Sequence, residues 1–289
     1  MASHSHDELV EIFRSADALP PLPDSATRVI TLIDNDDSST RQIQSAVSSD
    51  PALTANLIRA ASTAAYLSLG GPVTSVEAAV QRLGLSSVRL LIMGYALQSL
   101  MHKRTASEFF EPSSFALHST FSGVALQWWV GNDPDHPARR VWSLSEVFVG
   151  GLLHDLPICL LAHVTPDLFD QIWQEAGRHG RSFAQAFEVV TGAPIDELAV
   201  AVGTAWNLSD SSVQCMVAAS GVHGQPFLVE TLRQIEWLSE EAGFGLEPGR
   251  RALPESPDLI PAELHEDLPK LVRLLRGECE RFLGKKIAA

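Results

Sequence analysis

The residues best suited to chemistry are an adjacent imidazole and carboxylate, His154 and Asp155, which end the apolar run Val149-Gly150-Gly151-Leu152-Leu153. Neighbouring side chains on a helix point about 100° apart, so this pair could share one ion only at the rim of a cavity. Gly150 and Gly151 would let a second helix approach closely, and His118 upstream is a candidate third ligand. That set reads as a metal-dependent hydrolase centre. The competing reading is a buried His-Asp pair that satisfies its own hydrogen bonds and performs no chemistry.

Composition limits the choices. The 289-residue chain is 45% apolar, as globular proteins are, and its formal net charge of -14 opposes binding to a nucleic-acid backbone. No apolar run reads as long enough to cross a bilayer, so no membrane is expected as a partner. The start, Met1-Ala2-Ser3-His4-Ser5-His6, lacks a charged segment followed by an apolar one, which predicts no secretory leader; His4 and His6 read as terminal residues. Cys159, Cys215 and Cys279 are far apart among apolar residues and match no zinc spacing. They are expected to be reduced core thiols of a cytoplasmic protein.

The elements that would hold the pair are all helical. A first helix is expected from about Asp7 to Ala18, ended by Leu19-Pro20-Pro21-Leu22-Pro23. Asp24 should cap a second helix, Ser39 with Gln42 a third as a capping box, and Asp50-Pro51 should start a fourth. Gly70-Gly71-Pro72 breaks the chain before Thr74 and Glu77, another capping-box spacing. Gly84 should stop that helix, and Ser86 or Ser87 should start the next. Leu53, Leu57, Val80, Leu83 and Leu91 are expected in the core. Lys103 to Ser113 reads as a link, Phe115 starts a helix carrying His118, and Ser143 with Glu146 caps the helix carrying His154 and Asp155. Helices follow at Asp196 to Trp206 and Glu230 to Ala242. Leu246 to Pro261 reads as irregular, and Glu263 to Leu283 as a closing helix. No period-two strand pattern stands out, so the expected fold class is all-α.

Several motifs in register then resemble one family. Leu19-Pro20-Pro21-Leu22-Pro23, Ser49-Asp50-Pro51-Ala52-Leu53-Thr54, and Gly71-Pro72-Val73-Thr74-Ser75-Val76 with Ala79 and Leu83-Gly84-Leu85 look like the HDOD (HD-related output domain) family of bacterial signalling proteins. The resemblance implies an all-helical bundle of two packed subdomains, the second related to HD phosphohydrolases. It divides the chain into a first helix at 1–18, an N-terminal helical subdomain at 19–104 and an HD-like subdomain at 105–289. It also implies a regulatory rather than enzymatic role, exercised on a signalling protein partner.

Carried over residue by residue, the resemblance makes His118 the first ligand of an HD-type site and His154 and Asp155 the pair, with Glu236 where an Asp is usual. Three departures tell against turnover. Leu156-Pro157-Ile158 follows the pair in place of a small residue and a lysine. His223-Gly224-Gln225-Pro226-Phe227 is all that matches the paired histidines and Gly-Tyr-Pro of the HD-GYP phosphodiesterases. Ala193-Pro194-Ile195 stands where related helices carry a His. The expectation is therefore a non-catalytic output module with a vestigial site and no required cofactor. The alternative is a phosphohydrolase using iron, manganese or magnesium on a nucleotide or cyclic dinucleotide.

The remaining polar candidates read as structural. His163 would cap carbonyls, and His102 would lie at a solvated helix end. Trp128 and Trp129 would split between rim and core, and Asp34, Asp36 and Asp37 would form a solvated turn.

Overall fold

Short helices follow one another because the sequence starts and stops them at close intervals. The computed structural model describes residues 6–15, 22–62, 73–221, 223–246, 267–283 and 286–287, and contains no strand among them. The expectations for His4, Ala16 to Pro21, Gly70-Gly71-Pro72 and most of Leu246 to Pro261 fall outside the described residues. Helix α1 spans His6–Arg14, four residues short of the expected end, and buries Leu9, Val10 and Phe13. In α2 (Asp24–Ile33) the capping position belongs to Pro23. Asp24 sits inside the first turn, where its charge meets the positive end of the helix.

The next two starts follow the sequence. Ser39 and Gln42 close a capping box over α3 (Thr40–Ser48). The Asp50 carboxylate accepts from the amides of Ala52 and Leu53 to open α4 (Pro51–Ala61). Helix α5 (Val76–Leu83) is capped by Ser75, not Thr74, because the non-helical segment tied to Ser62 through the Val73 amide runs on to Thr74. Gly84, at φ +76, ends α5 and starts α6 (Leu85–Met101) without a spacer, and the two helices meet at a bend of 112°. Only glycine holds that φ without strain, so the turn needs no further residues and α6 begins before Ser86. Leu53, Leu57, Val80 and Leu91 are buried, while Leu83 is half-buried at the edge of the core.

Helix α7 spans Pro112–Asn132 with Glu111 as its cap. Pro112 thus belongs to the helix rather than the link, because its missing amide hydrogen costs nothing in a first turn. A 3-10 turn at Pro137–Arg140 leads to α8 (Leu144–Leu153), whose Ser143–Glu146 capping box forms as expected. There follow α9 (Leu156–Val164), α10 (Pro166–His179), α11 (Phe183–Thr191), α12 (Asp196–Ala205), α13 (Asp210–Ala219), α14 (Pro226–Glu241) and α15 (Leu268–Leu283).

Helix α8 is the centre of the packing, touching α6, α7 and α13. The chain ends cross between its halves: α1 packs on α12, and α15 lies against both α4 and α7. Phe282 of α15 stacks on Tyr95 at 5.6 Å and meets Phe148 at 5.1 Å. One buried apolar cluster therefore runs from Leu9 to Phe282. The stretch Leu144–Val164 is, contrary to the sequence expectation, long and apolar enough to cross a membrane, yet 78% of its most apolar window lies inside the fold. Its composition reflects a helix surrounded by other helices, which needs no polar face.

Candidate metal centre

The centre depends first on how closely α7 and α8 cross. A methyl group on Gly151 would lie 2.8 Å from the Ser122 carbonyl oxygen, and one on Gly123 would lie 2.9 Å from that of Phe148. Only hydrogen fits at either position, so the two backbones are in contact, and His118 of α7 faces His154 at the end of α8. The rings lie 5.2 Å apart, and the Nε2 atoms 3.3 Å apart.

The chain then breaks where the sequence suggested one continuous helix. Pro157 cannot donate to the Leu153 carbonyl, and its ring would clash with it. Helix α8 accordingly stops at Leu153, and Asp155 takes φ -99 and ψ 13 ahead of α9. This change of direction brings the His154 and Asp155 side chains to one point despite their adjacency. Asp155 occupies a capping position but makes no capping bond. Its Oδ2 lies instead 3.3 Å from Nε2 of His118 and 3.3 Å from Nε2 of His154.

Helix α14 supplies the fourth side. Glu236 Oε1 lies 2.9 Å from His154 Nε2 and 3.3 Å from His118 Nε2. The longer side chain thus reaches the position where the resemblance implied an Asp. One ligand atom from each of His118, His154, Asp155 and Glu236 falls within 4.8 Å of the others. The histidines are buried at 0% and 2% exposure, and the two carboxylate side chains are 16% and 26% exposed.

Both imidazoles are oriented from behind. The Nδ1 of His154 donates to the Gly151 carbonyl at 2.8 Å; that of His118 donates to the Phe244 carbonyl at 3.1 Å, with Ser239 Oγ at 3.0 Å. A carbonyl only accepts, so each neutral ring carries its proton on Nδ1 and turns the Nε2 lone pair inward, as metal-binding histidines do. Sequence reasoning missed Ser239 and these two carbonyls. The available signal was that Ser239 shares a helix face with Glu236, three residues on. Two lone pairs and two carboxylate oxygens this close need positive charge between them, so the residues present fit a divalent ion.

Without an ion, protons would fill that role. Burial opposes the charged form of His118, but Glu236 and then Asp155 outweigh it and raise the group to about 9. His154 is raised well above its ordinary value, Asp155 and Glu236 outweighing its burial. Burial likewise opposes ionisation of Asp155, yet His154 and His118 lower it to about 2, and Glu236 is held well below the carboxylate range.

The other candidates lie elsewhere. His223 Nδ1 pairs with Asp196, not with the centre. His163 donates to the Cys159 carbonyl at 2.8 Å in the last turn of α9, the expected cap. His102 is the exposed residue that ends α6, Trp129 is buried and Trp128 half-buried. Asp34 differs from expectation: Arg89 of α6 holds it with two bonds, of 2.6 and 3.0 Å, which ties down the end of α2. The three cysteines are free and buried, and burial pushes Cys215 up to about 12.

Among the described residues, two cavities reach the centre. The smaller, about 30 Å³, is lined by His154 and Asp155 with Ala184, Met216 and Ser220 among its other walls. The larger, about 220 Å³, reaches Asp155 alone of the four ligands and is otherwise mostly aromatic. Neither is lined by a lysine or an arginine.

Known proteins share this architecture, and one of them is described as a member of the family the motifs suggested. Among solved structures, the chain is similar to an HDOD domain protein of unknown function from Geobacter sulfurreducens, at TM-score 0.63 and 22% identity over 93% of this chain and 97% of the other. It is also similar to a candidate signal transduction protein from Marinobacter aquaeolei VT8, at TM-score 0.58 and 20% identity over 98% of this chain and 62% of that one. A candidate metal-dependent phosphohydrolase from Shewanella amazonensis SB2B matches at TM-score 0.57 and 21% identity over 95% and 99%. At such identities the likeness is one of fold. No curated protein is significantly similar to the chain. The HDOD domain model matches residues 19–221, most of the chain and three of the four clustered side chains. The chain belongs to the HDOD domain family.

Proposed function

We propose that this chain is a signal-transduction module that acts by binding a protein partner, with His118, His154, Asp155 and Glu236 holding one divalent ion as a fixed centre. The ion would be iron, manganese or magnesium, each compatible with mixed imidazole and carboxylate ligands. The observation that carries the non-catalytic part is the space at the ligands. The cavity that touches both His154 and Asp155, about 30 Å³, takes about one water and is too small for a phosphoester, and the larger cavity reaches Asp155 alone of the four side chains. Among the described residues neither cavity wall holds a lysine or arginine to bind a phosphate, which supports the same reading. When bound, the ion would supply a Lewis acid and a more acidic water. The four side chains would fix it and join α7, α8 and α14 at one point.

The second reading, a metal-dependent phosphohydrolase acting on a nucleotide or cyclic dinucleotide, is favoured by the completeness of the ligand set and by the name of the Shewanella relative. One experiment separates the two. Protein purified without chelator or nickel resin is analysed for metal, melted with and without manganese, and assayed on bis(p-nitrophenyl) phosphate and cyclic dinucleotides. The expected result is a manganese-induced rise in melting temperature of about 4–5 °C at a hundredfold excess over Kd, with no turnover. Asp155→Ala should lose that rise and be less stable without metal by about 1–3 kcal/mol. Turnover that disappears in Asp155→Ala would establish the hydrolase instead. Absence of both metal and manganese response would leave the four residues as a closed ion-pair network.

A further inference from the structure

The larger cavity has a composition of its own. Six aromatic side chains line it: Phe109, Phe110, Phe115, Phe169, Trp173 and Phe183. All but Phe109 form a connected wall, Phe110 lying 5.2 Å from Phe115 and 5.8 Å from Phe169, and Phe169 5.6 Å from Trp173 and 5.3 Å from Phe183. The segment carrying Phe109 and Phe110 is anchored, since both amides donate to Ser107 Oγ, which itself bonds Asp170 of α10. Phe110, Phe115, Phe169 and Phe183 are buried, whereas Phe109, Glu111 and Ser114 are exposed and mark the mouth. Asp155 contributes to the lining with its carboxylate engaged by the two histidines.

Besides the indole N–H of Trp173, the polar side chains of this wall among the described residues are Glu111, Ser114 and Asp155, two carboxylates and one hydroxyl. The positive end of α7, which opens at this mouth, is already met by Glu111, whose Oε1 accepts from the Ser113 amide at 3.2 Å. Among the described residues an anion therefore finds no counter-charge, while a cation finds a carboxylate beside aromatic rings. The volume of about 220 Å³ lies below the range of drug-sized sites, so the occupant is about one ring system with a short tail.

We propose that this cavity is a binding site for a small aromatic amine, its ring among the six aromatic side chains and its ammonium group at the Glu111 mouth. The site does not depend on the identity of the ion, because its charge-bearing contact is Glu111, which is not a ligand of the centre. Asp155 is the residue shared by the cavity and the centre, so the occupant touches a ligand of the ion.

The test uses the full chain and three probes that share an indole ring and a two-carbon tail, by calorimetry: tryptamine, neutral 3-ethylindole and anionic indole-3-propionate. Tryptamine should bind tightest and the acid weakest. Glu111→Gln keeps an acceptor for the Ser113 amide, so α7 stays capped; it should reduce the preference for tryptamine over 3-ethylindole by about threefold, the scale of an exposed ion pair. Ser114→Trp, at an exposed position of the mouth, should abolish binding of all three with the melting temperature unchanged. The proposal falls if the acid or the neutral probe binds as well as tryptamine, if none binds, or if Ser114→Trp leaves binding intact. The manganese response of the unliganded protein is read separately, so failure here is distinguishable from failure of the metal centre.

Discussion

At His154 the inward lone pair is set by a main-chain carbonyl three residues back, not by the acid beside it. The same holds at His118 with the Phe244 carbonyl. Both rings are thereby prepared to receive a cation, whether proton or metal. The pH dependence follows with a definite sign. In metal-free protein His118 is raised from 6.5 to about 9, so its contribution to stability is complete below about pH 6.5 and is lost as pH rises through about 9. Asp155 is lowered from 3.8 to about 2, so its contribution is complete above 3.8 and is lost as pH falls through about 2. Denaturant titration of chelator-treated protein should therefore show stability from this centre declining on the alkaline side. Saturating manganese should remove that decline, because ion binding displaces the histidine protons and strengthens as they leave. A metal-free protein whose stability climbs steadily from about pH 7 to 9 would contradict the arrangement.

At the level of elements, the crossing of α7 and α8 decides whether the centre exists. Gly151→Ala would place a methyl 2.8 Å from a backbone oxygen, and neither helix can move independently of its neighbours. The expected cost is about 1–3 kcal/mol from overpacking, with loss of the manganese-induced melting shift as His118 and His154 separate. Gly131→Ala, in the same α7, is the matched control: its methyl would meet Leu144 Cδ2 at an ordinary 3.7 Å. It should leave the metal response intact and stability unchanged or raised by up to about 1 kcal/mol. Equal losses in both variants would mean that helix propensity, not close approach, governs the site.

Across the whole molecule, the first and last helices bind parts of the chain distant in sequence. Leu9 and Phe13 of α1 are fully buried in a core shared with α12, and Phe282 of α15 is buried against Tyr95 and Phe148. A fragment ending near Arg104 would lose the partners of α1 and uncover Leu97, Leu100 and Met101, all fully buried in the intact chain. It should aggregate or self-associate, as large apolar patches do. Sedimentation and a melting curve check this; a soluble monomer that melts cooperatively would show that the first part folds alone.

What could be read from sequence alone was local. The capping boxes at Ser39 and Ser143 and the Asp50-Pro51 start form where the residue types put them, because their energetics close within four residues. The helical class and the His154–Asp155 pair were legible for a similar reason: apolar spacing and a His-Asp dipeptide are features of neighbours in the chain, whereas Glu236 was named only through the family resemblance. Single-residue competitions were not legible, as at Ser75 over Thr74, where the Ser62–Val73 bond delays the helix. The reach of one apolar cluster from Leu9 to Phe282, beside a second one that includes Phe121 and Ile235, came only from packing between helices far apart in sequence. So did the centre itself. Glu236 lies 82 residues from His154, and the Ser239 and Phe244 contacts lie 121 and 126 residues from His118. No spacing rule relates such positions, because their distance is fixed by the contact between Gly123 and Gly151 and by the turn Pro157 imposes, which exist only once the helices have packed.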